Sequence, residues 1–247
     1  MKIFALIPAR YGSTRFPGKP LALISGKPMI QHVYQCAASC PDISDVWVTT
    51  DDERISQCIN DFGGKAIITN PDHCSGTDRI AEAAQKLEIQ DDDLIVNIQG
   101  DQPLFQPSVI SDLIAPFRGN RDIRMGTLKF GITQKHDIEN PNVVKVVTDH
   151  DDFAIYFSRY PIPFFRDSKS PTFHYKHIGI YAYRKDFLIA FSRLPEGRLE
   201  AAESLEQLRA LENGFKIKVV ETKSNSLEVD RPDDIKKIEK EMERSSL

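Results

Sequence analysis

IFALIPARYGSTRFPGK, residues 3–19, begins as an apolar run and ends as a basic loop that carries glycines. The run 3–7 predicts a short buried strand. Behind it, Arg10, Arg15 and Lys19 are interleaved with Gly12, Ser13, Thr14, Pro17 and Gly18. Glycine lets backbone N–H groups close on an anion, and the flanking cations add charge and directed donors. This make-up suits a triphosphate; a basic surface loop is the competing reading. Position favours the first, because open α/β sheets bind ligands at the carboxyl ends of their strands. The loop is neither of the common phosphate motifs. Five residues separate Gly12 from Gly18 where a P-loop has four, Pro20 follows Lys19, and no G-x-G-x-x-G is present.

Outward from this stretch, Met29, Ile30, Val33, Ala37 and Cys40 recur at helical spacing and predict a helix over 28–40. Residues 46–50 predict a strand. A helix then opens on acidic residues 51–53 and stops at Gly63-Gly64, and 66–69 is a third strand. Such βαβαβ alternation implies parallel strands and right-handed crossovers. The fold class is therefore α/β: a three-layer α/β/α sandwich on a mainly parallel, Rossmann-like sheet. Residues 93–99 read as a strand buried on both faces, running into Gln99-Gly100-Asp101-Gln102-Pro103. Beyond a helix over 107–117, strands are predicted at 125–130, 143–148, 153–157 and 175–183, with the second and third as a hairpin. Residues 158–172, with three prolines and Phe164-Phe165, form an irregular apolar arm that a partner subunit would cover. Residues 199–213 predict one amphipathic helix with Leu205, Leu208 and Leu211 inward, followed by a strand at 215–221 and a helix at 231–244.

With 247 residues, the chain is expected to form a single domain, with 125–183 adding a small β-rich arm. The charge balance, 32 − 36 = −4, argues against nucleic acid as a partner. No apolar run approaches the roughly 20 residues of a membrane span, and no secretory pattern opens the chain, so a cytoplasmic, membrane-free protein is expected. Cys36, Cys40, Cys58 and Cys74 lack zinc or C-x-x-C spacing, and free thiols are expected.

Several residues admit two readings. Asp101 at a strand end would face a ligand crevice, or would only shape an Asp-x-Pro turn. Ser75, Gly76 and Thr77 would cap a helix or present its N-terminus, with Arg79, to a ligand. On strand 175–183, His177 and Tyr181 share one face by two-residue alternation, either packing the core or lining a site. Glu206 and Gln207 would ordinarily be solvated helix residues. Asp230 would cap the last helix or supply a second carboxylate. His73 reads as a loop histidine.

IPARYGSTRFPGKPL together with SGTDR (75–79), NIQGDQP (97–103), YFSR (156–159), HIGIYAY (177–183), LEQLR (205–209) and VDRPDD (229–234) resembles the sugar-activating cytidylyltransferases. Within them the pattern is most similar to the 3-deoxy-manno-octulosonate (Kdo) cytidylyltransferase family, CMP-Kdo synthetases. The resemblance spans nearly the whole chain and implies a nucleotide-diphospho-sugar transferase fold; the apolar arm at 158–172 predicts a homodimer. It implies that CTP and an acidic eight-carbon sugar are joined into a CMP-sugar with release of pyrophosphate, for lipopolysaccharide synthesis. By the same resemblance, Pro8, Ala9, Arg10, Lys19, Ser75, Gly76, Arg79 and Gln99 bind the nucleotide. Arg15, Gln99, Arg159, His177, Tyr181, Glu206 and Gln207 bind the sugar. Asp101 and Asp230 hold Mg²⁺, and these two with Lys19 and Arg10 are the catalytic set. One departure concerns the sugar. The commoner family ending is Val-Asp-Thr-Pro-Glu-Asp, whereas a cation, Arg231, follows Asp230 here. A branch of the family uses the 8-amino-8-deoxy sugar and has a similar C-terminal half, so both sugars remain candidates. The alternatives are an acylneuraminate-type or other sugar nucleotidyltransferase, and a non-catalytic nucleotide-binding protein of the same fold.

Overall fold

A computed structural model describes residues 1–12, 16–166 and 173–245; Arg15 lies outside the described residues. The chain divides into two compact units. The first comprises Met1–Ser111, Tyr183–Ser192 and Asn225–Leu247, the second Asp112–Ala182 and Arg193–Ser224. Residues 125–182 thus share a unit with 193–224.

The first unit opens with β1 (Ile3–Ala9), a 3-10 turn (Lys19–Leu21), the hairpin strands β2 (Leu23–Ile24) and β3 (Lys27–Pro28), and α1 (Met29–Ala38). Then follow β4 (Asp45–Thr50), α2 (Glu53–Asp61), β5 (Ala66–Ile68), α3 (Gly76–Lys86) and β6 (Leu94–Asn97). The strands run parallel in the order β6-β1-β4-β5, as the alternating pattern predicts. All four residues of β6 are buried, in keeping with its continuous apolar run. β1 continues past the predicted end, through Pro8 and Ala9, which pair with Thr49 and Thr50. On its other side the ladder to β6 ends at Leu6–Asn97. The Pro8 carbonyl faces that side, beside Gly100. Its missing N–H therefore leaves no ladder bond unmade.

α4 (Ser108–Gly119) leads to β7 (Met125–Gly131), α5 (Lys135–Glu139), β8 (Lys145–Thr148), β9 (Ala154–Ser158) and β10 (Tyr175–Arg184). The predicted hairpin is present: β8 and β9 pair antiparallel, Val146 opposite Phe157. α6 (Lys185–Ser192) belongs to the first unit, α7 (Arg198–Glu203), α8 (Leu208–Glu212) and β11 (Lys218–Glu221) to the second, and α9 (Asp234–Ser245) to the first. β11 adds to β7 in parallel, which makes the sheet of the second unit mixed.

The single helix predicted over 199–213 is broken in two. Ser204 adopts φ 51°, ψ 50°, a left-handed conformation that ends α7. Leu205 and Leu208 are still buried. The apolar rhythm therefore persists across a break it does not reveal. Glu206 and Gln207 consequently lie in the bend between two short helices rather than on a helix flank. The four cysteines are unpaired, with Cys40 buried and Cys74 exposed. Among the described residues no helix is long and apolar enough to cross a membrane.

Candidate active site

A cavity of about 310 Å³ in the first unit is built from four strand and helix ends. Pro8, Ala9 and Arg10 close β1, Lys19 and Pro20 come from the 3-10 turn, residues 73–76 and Arg79 open α3, and Gln99, Gly100 and Asp101 follow β6. Every residue assigned to the nucleotide lines it. Gly100 is there because nothing larger fits: a Cβ on it would stand 2.9 Å from the Pro8 carbonyl oxygen. The loop carrying Arg10 and Lys19 is pinned at its base. Gly18, at φ 70°, donates its N–H to the Tyr11 carbonyl at 2.9 Å. The Arg54 guanidinium lies 3.4 Å from the Tyr11 ring centroid, itself held by both Asp52 oxygens at 2.9 and 2.6 Å. Neither Tyr11 nor Arg54 was singled out from sequence, since a stack between a loop and the first turn of α2 leaves no periodic trace.

α3 points its N-terminus into this cavity, and the capping reading of Ser75 holds as well. Ser75 Oγ accepts from the Asp78 N–H at 3.1 Å while Asp78 reaches back to the Ser75 N–H at 3.3 Å. Arg79 is 4% exposed; its Nη1 donates to Thr69 Oγ1 at 2.6 Å and its Nη2 lies 3.3 Å from Asp51. A buried guanidinium needs such partners, and they also fix where it meets the cavity. His73, read as a loop histidine, lines the cavity and is bonded through Nε2 to Glu82. Burial raises the Glu82 carboxyl, but bonds from Lys86, the Asn70 N–H and His73 outweigh it and hold the group at about 2. Glu82 therefore clamps the wall 70–73 onto α3 as an anion at neutral pH.

Asp101 and Asp230, distant in sequence, are brought to neighbouring backbone. The Val229 N–H donates to the Asp101 carbonyl at 2.9 Å and the Leu227 N–H to the Leu104 carbonyl at 3.0 Å. Gln102 Nε2 reinforces the join on Glu228 at 2.7 Å. Val229 is fully buried in an apolar cluster with Ile24, Met29 and Ile238. Burying a side chain of this size contributes about 1.5–3 kcal/mol, which anchors the residue before Asp230. Asp234, which opens α9, ties down the same segment: its Oδ2 accepts from the N–H groups of Asp230 and Arg231 at 3.2 and 2.9 Å. Lys19 spans the same join, donating to Asp101 Oδ2 at 2.6 Å and to the Val229 carbonyl at 3.0 Å. The donor set fits a hard divalent ion: magnesium takes one or two carboxylates and draws its remaining oxygens from phosphate and water. No group of three or more metal-binding side chains occurs among the described residues.

The remaining candidates lie in the second unit. His177 and Tyr181 share a face, with ring centroids 5.3 Å apart, and Phe157 meets the imidazole edge-on at 5.1 Å. His177 is partly buried, and burial holds its imidazole neutral with a pKa of about 3. The buried Thr127 hydroxyl lies 2.9 Å from His177 Nε2 and 3.1 and 3.0 Å from the carbonyls of Ile178 and Ile180. Its one proton goes to a carbonyl, so the oxygen accepts from Nε2–H, which assigns the tautomer. Arg159 is anchored on main chain: Nε donates to the Glu203 carbonyl at 2.6 Å, Nη1 to Pro141 at 3.0 Å and Nη2 to Ser204 at 3.2 Å. It thus satisfies the carbonyls exposed at the end of α7. Gln207 is 5% exposed, and among the described residues its buried Nε2 meets no hydrogen-bond partner. An orphaned buried amide donor costs about 1–3 kcal/mol unless something supplies an acceptor.

A parallel α/β unit with a glycine-approached cavity, a cationic loop and two joined acidic segments defines a nucleotide-transfer class of protein, and comparison with known families agrees. The chain belongs to the cytidylyltransferase family, whose model matches residues 4–219. It is 52% identical to the 3-deoxy-manno-octulosonate cytidylyltransferase of Geobacter sulfurreducens, over 96% of this chain and 98% of that one. It is 54% identical to the 8-amino-3,8-dideoxy-manno-octulosonate cytidylyltransferase of Shewanella putrefaciens, over 99% and 100%. Among solved structures, it superposes on CMP:2-keto-3-deoxy-manno-octonic acid synthetase complexed with CTP, with a TM-score of 0.93 and 43% identity over 99% of this chain and 100% of that one.

Proposed function

We propose that this cytidylyltransferase transfers CMP from CTP to the anomeric hydroxyl of Kdo or of its 8-amino analogue, releasing pyrophosphate. The observation that supports the reading is the backbone join between Asp101, which lines the cationic cavity, and Val229, the residue before Asp230. Arg10 and Lys19 neutralise charge as pyrophosphate leaves. Asp101 and Asp230 would hold Mg²⁺. The chemistry such an ion supplies is polarisation of the phosphoryl group and a lowered pKa for the attacking hydroxyl. Ser75, Gly76, Arg79 and Gln99 receive the nucleoside. His177, Tyr181, Arg159, Glu206 and Gln207 are assigned to the sugar, with the Gln207 amide as the group most in need of an acceptor.

Pyrophosphate release measured with CTP and each sugar in turn tests the reading and separates the two acceptors; release with neither would overturn it. Asp101→Ala and Asp230→Ala are each expected to abolish turnover, and a near-native rate in either would remove that residue from the reaction. We also propose a homodimer. A cleft of about 620 Å³ is lined by Ile132, Ile138 and Phe165, by exposed Tyr160 and Phe164, and by polar residues such as Lys135 and Glu139. Surface of this kind marks subunit contacts. Light scattering at micromolar concentration is expected to give twice the chain mass.

A further inference from the structure

Lys19 does more than lend charge to a phosphate loop. Its ammonium bonds Asp101 Oδ2 at 2.6 Å and the Val229 carbonyl at 3.0 Å, with the two side chains only 16% and 31% exposed. It therefore sits on the seam that joins one proposed metal carboxylate to the residue before the other. A divalent ion approaching Asp101 and Asp230 would meet a like charge already bonded to one of its ligands. In a partly shielded site that opposition is large beside the weak affinity of two carboxylates for magnesium. The ammonium leaves the seam readily only toward another anion, and a nucleotide polyphosphate in the adjoining cavity is one.

We propose that Lys19 is a positioning residue that keeps the Asp101–Asp230 pair closed to divalent cations until nucleotide arrives. Nucleotide charge draws the ammonium away, and the freed carboxylate together with phosphate oxygens then forms the cation site. Metal binding becomes contingent on nucleotide. The proposal rests on the reading of Asp101 and Asp230 as the metal pair.

The test is Mn²⁺ binding without nucleotide, read from the free-ion electron paramagnetic resonance signal. It compares the wild type with Lys19→Met, Lys19→Gln and Lys19→Arg. Both neutral variants are expected to bind Mn²⁺ at least about tenfold more tightly than the wild type, within the range of typical coupling between two ligands. Lys19→Arg, which restores the charge, is expected to stay near wild type, and adding Asp101→Asn to Lys19→Gln should erase the gain. Equal affinity in the wild type and a folded neutral variant overturns the proposal. A wild-type arm needs no variant: after correction for metal held by free nucleotide, Mn²⁺ must bind the CTP complex more tightly than the protein alone, and equal binding again overturns it. CTP-dependent Mn²⁺ binding that Asp101→Asn abolishes, without any gain in the neutral variants, sinks the Lys19 role alone. No bound Mn²⁺ even with CTP overturns the metal-pair reading and this proposal with it.

Discussion

His177 is a base that the fold refuses to protonate. Its imidazole has a pKa of about 3 in the folded chain against 6.5 for an ordinary histidine, and burial is the cause. Above pH of about 6.5 both folded and unfolded chains hold it neutral, so it adds no pH dependence there. Below that, the unfolded chain binds a proton that the native one does not, and stability falls as the pH drops toward 3. His177→Asn is therefore expected to lose less stability than the wild type between pH 7 and pH 5, as judged by urea midpoints at the two values. Parallel losses would place the acid sensitivity elsewhere. At the same scale, the residues that the resemblance assigned to the nucleotide line one cavity and could be named in advance from the motifs of that resemblance. Their partners could not. Asp51 and Thr69 beside Arg79 follow the ends of β4 and β5. Thr127 beside His177 and the Pro8 carbonyl over Gly100 come from other strands; sequence order holds no record of such meetings.

At the scale of elements, the instructive case is the bend between α7 and α8. Leucines at 205, 208 and 211 continue a helical rhythm, and the rhythm alone predicts one helix. Two things end it: Ser204 in a left-handed conformation, and a guanidinium 45 positions earlier that takes the freed carbonyls. Arg159→Met should strip those bonds and destabilise the protein by about 2 kcal/mol or more, because bonds to a charged donor are the stronger kind. Since Arg159 and the bend residues Glu206 and Gln207 are all assigned to the sugar, the variant is expected to raise the KM for sugar more than that for CTP. Equal rises in steady-state kinetics would detach the bend from sugar handling. By contrast, α1, β4, α2 and β5 were legible to within a residue or two, because apolar periodicity marks them and Gly63-Gly64 stops α2.

For the whole molecule, parallel βα alternation was sufficient to give the α/β class, and a TM-score of 0.93 to a solved relative agrees with it. The partition into two units was harder to read, since 193–224 rejoins 112–182 across a helix that belongs elsewhere. The C-terminal stretch is what closes the first unit: Val229 pairs with Asp101, and Ile238 shares its apolar cluster. On the proposed chemistry, the second acidic group joins the first only once residues 227–238 are in place. A chain cut back to residue 225 keeps Arg10 and Lys19, yet it should release no pyrophosphate from CTP and sugar. Near-native release from a folded truncation would detach the C-terminal stretch from the chemistry.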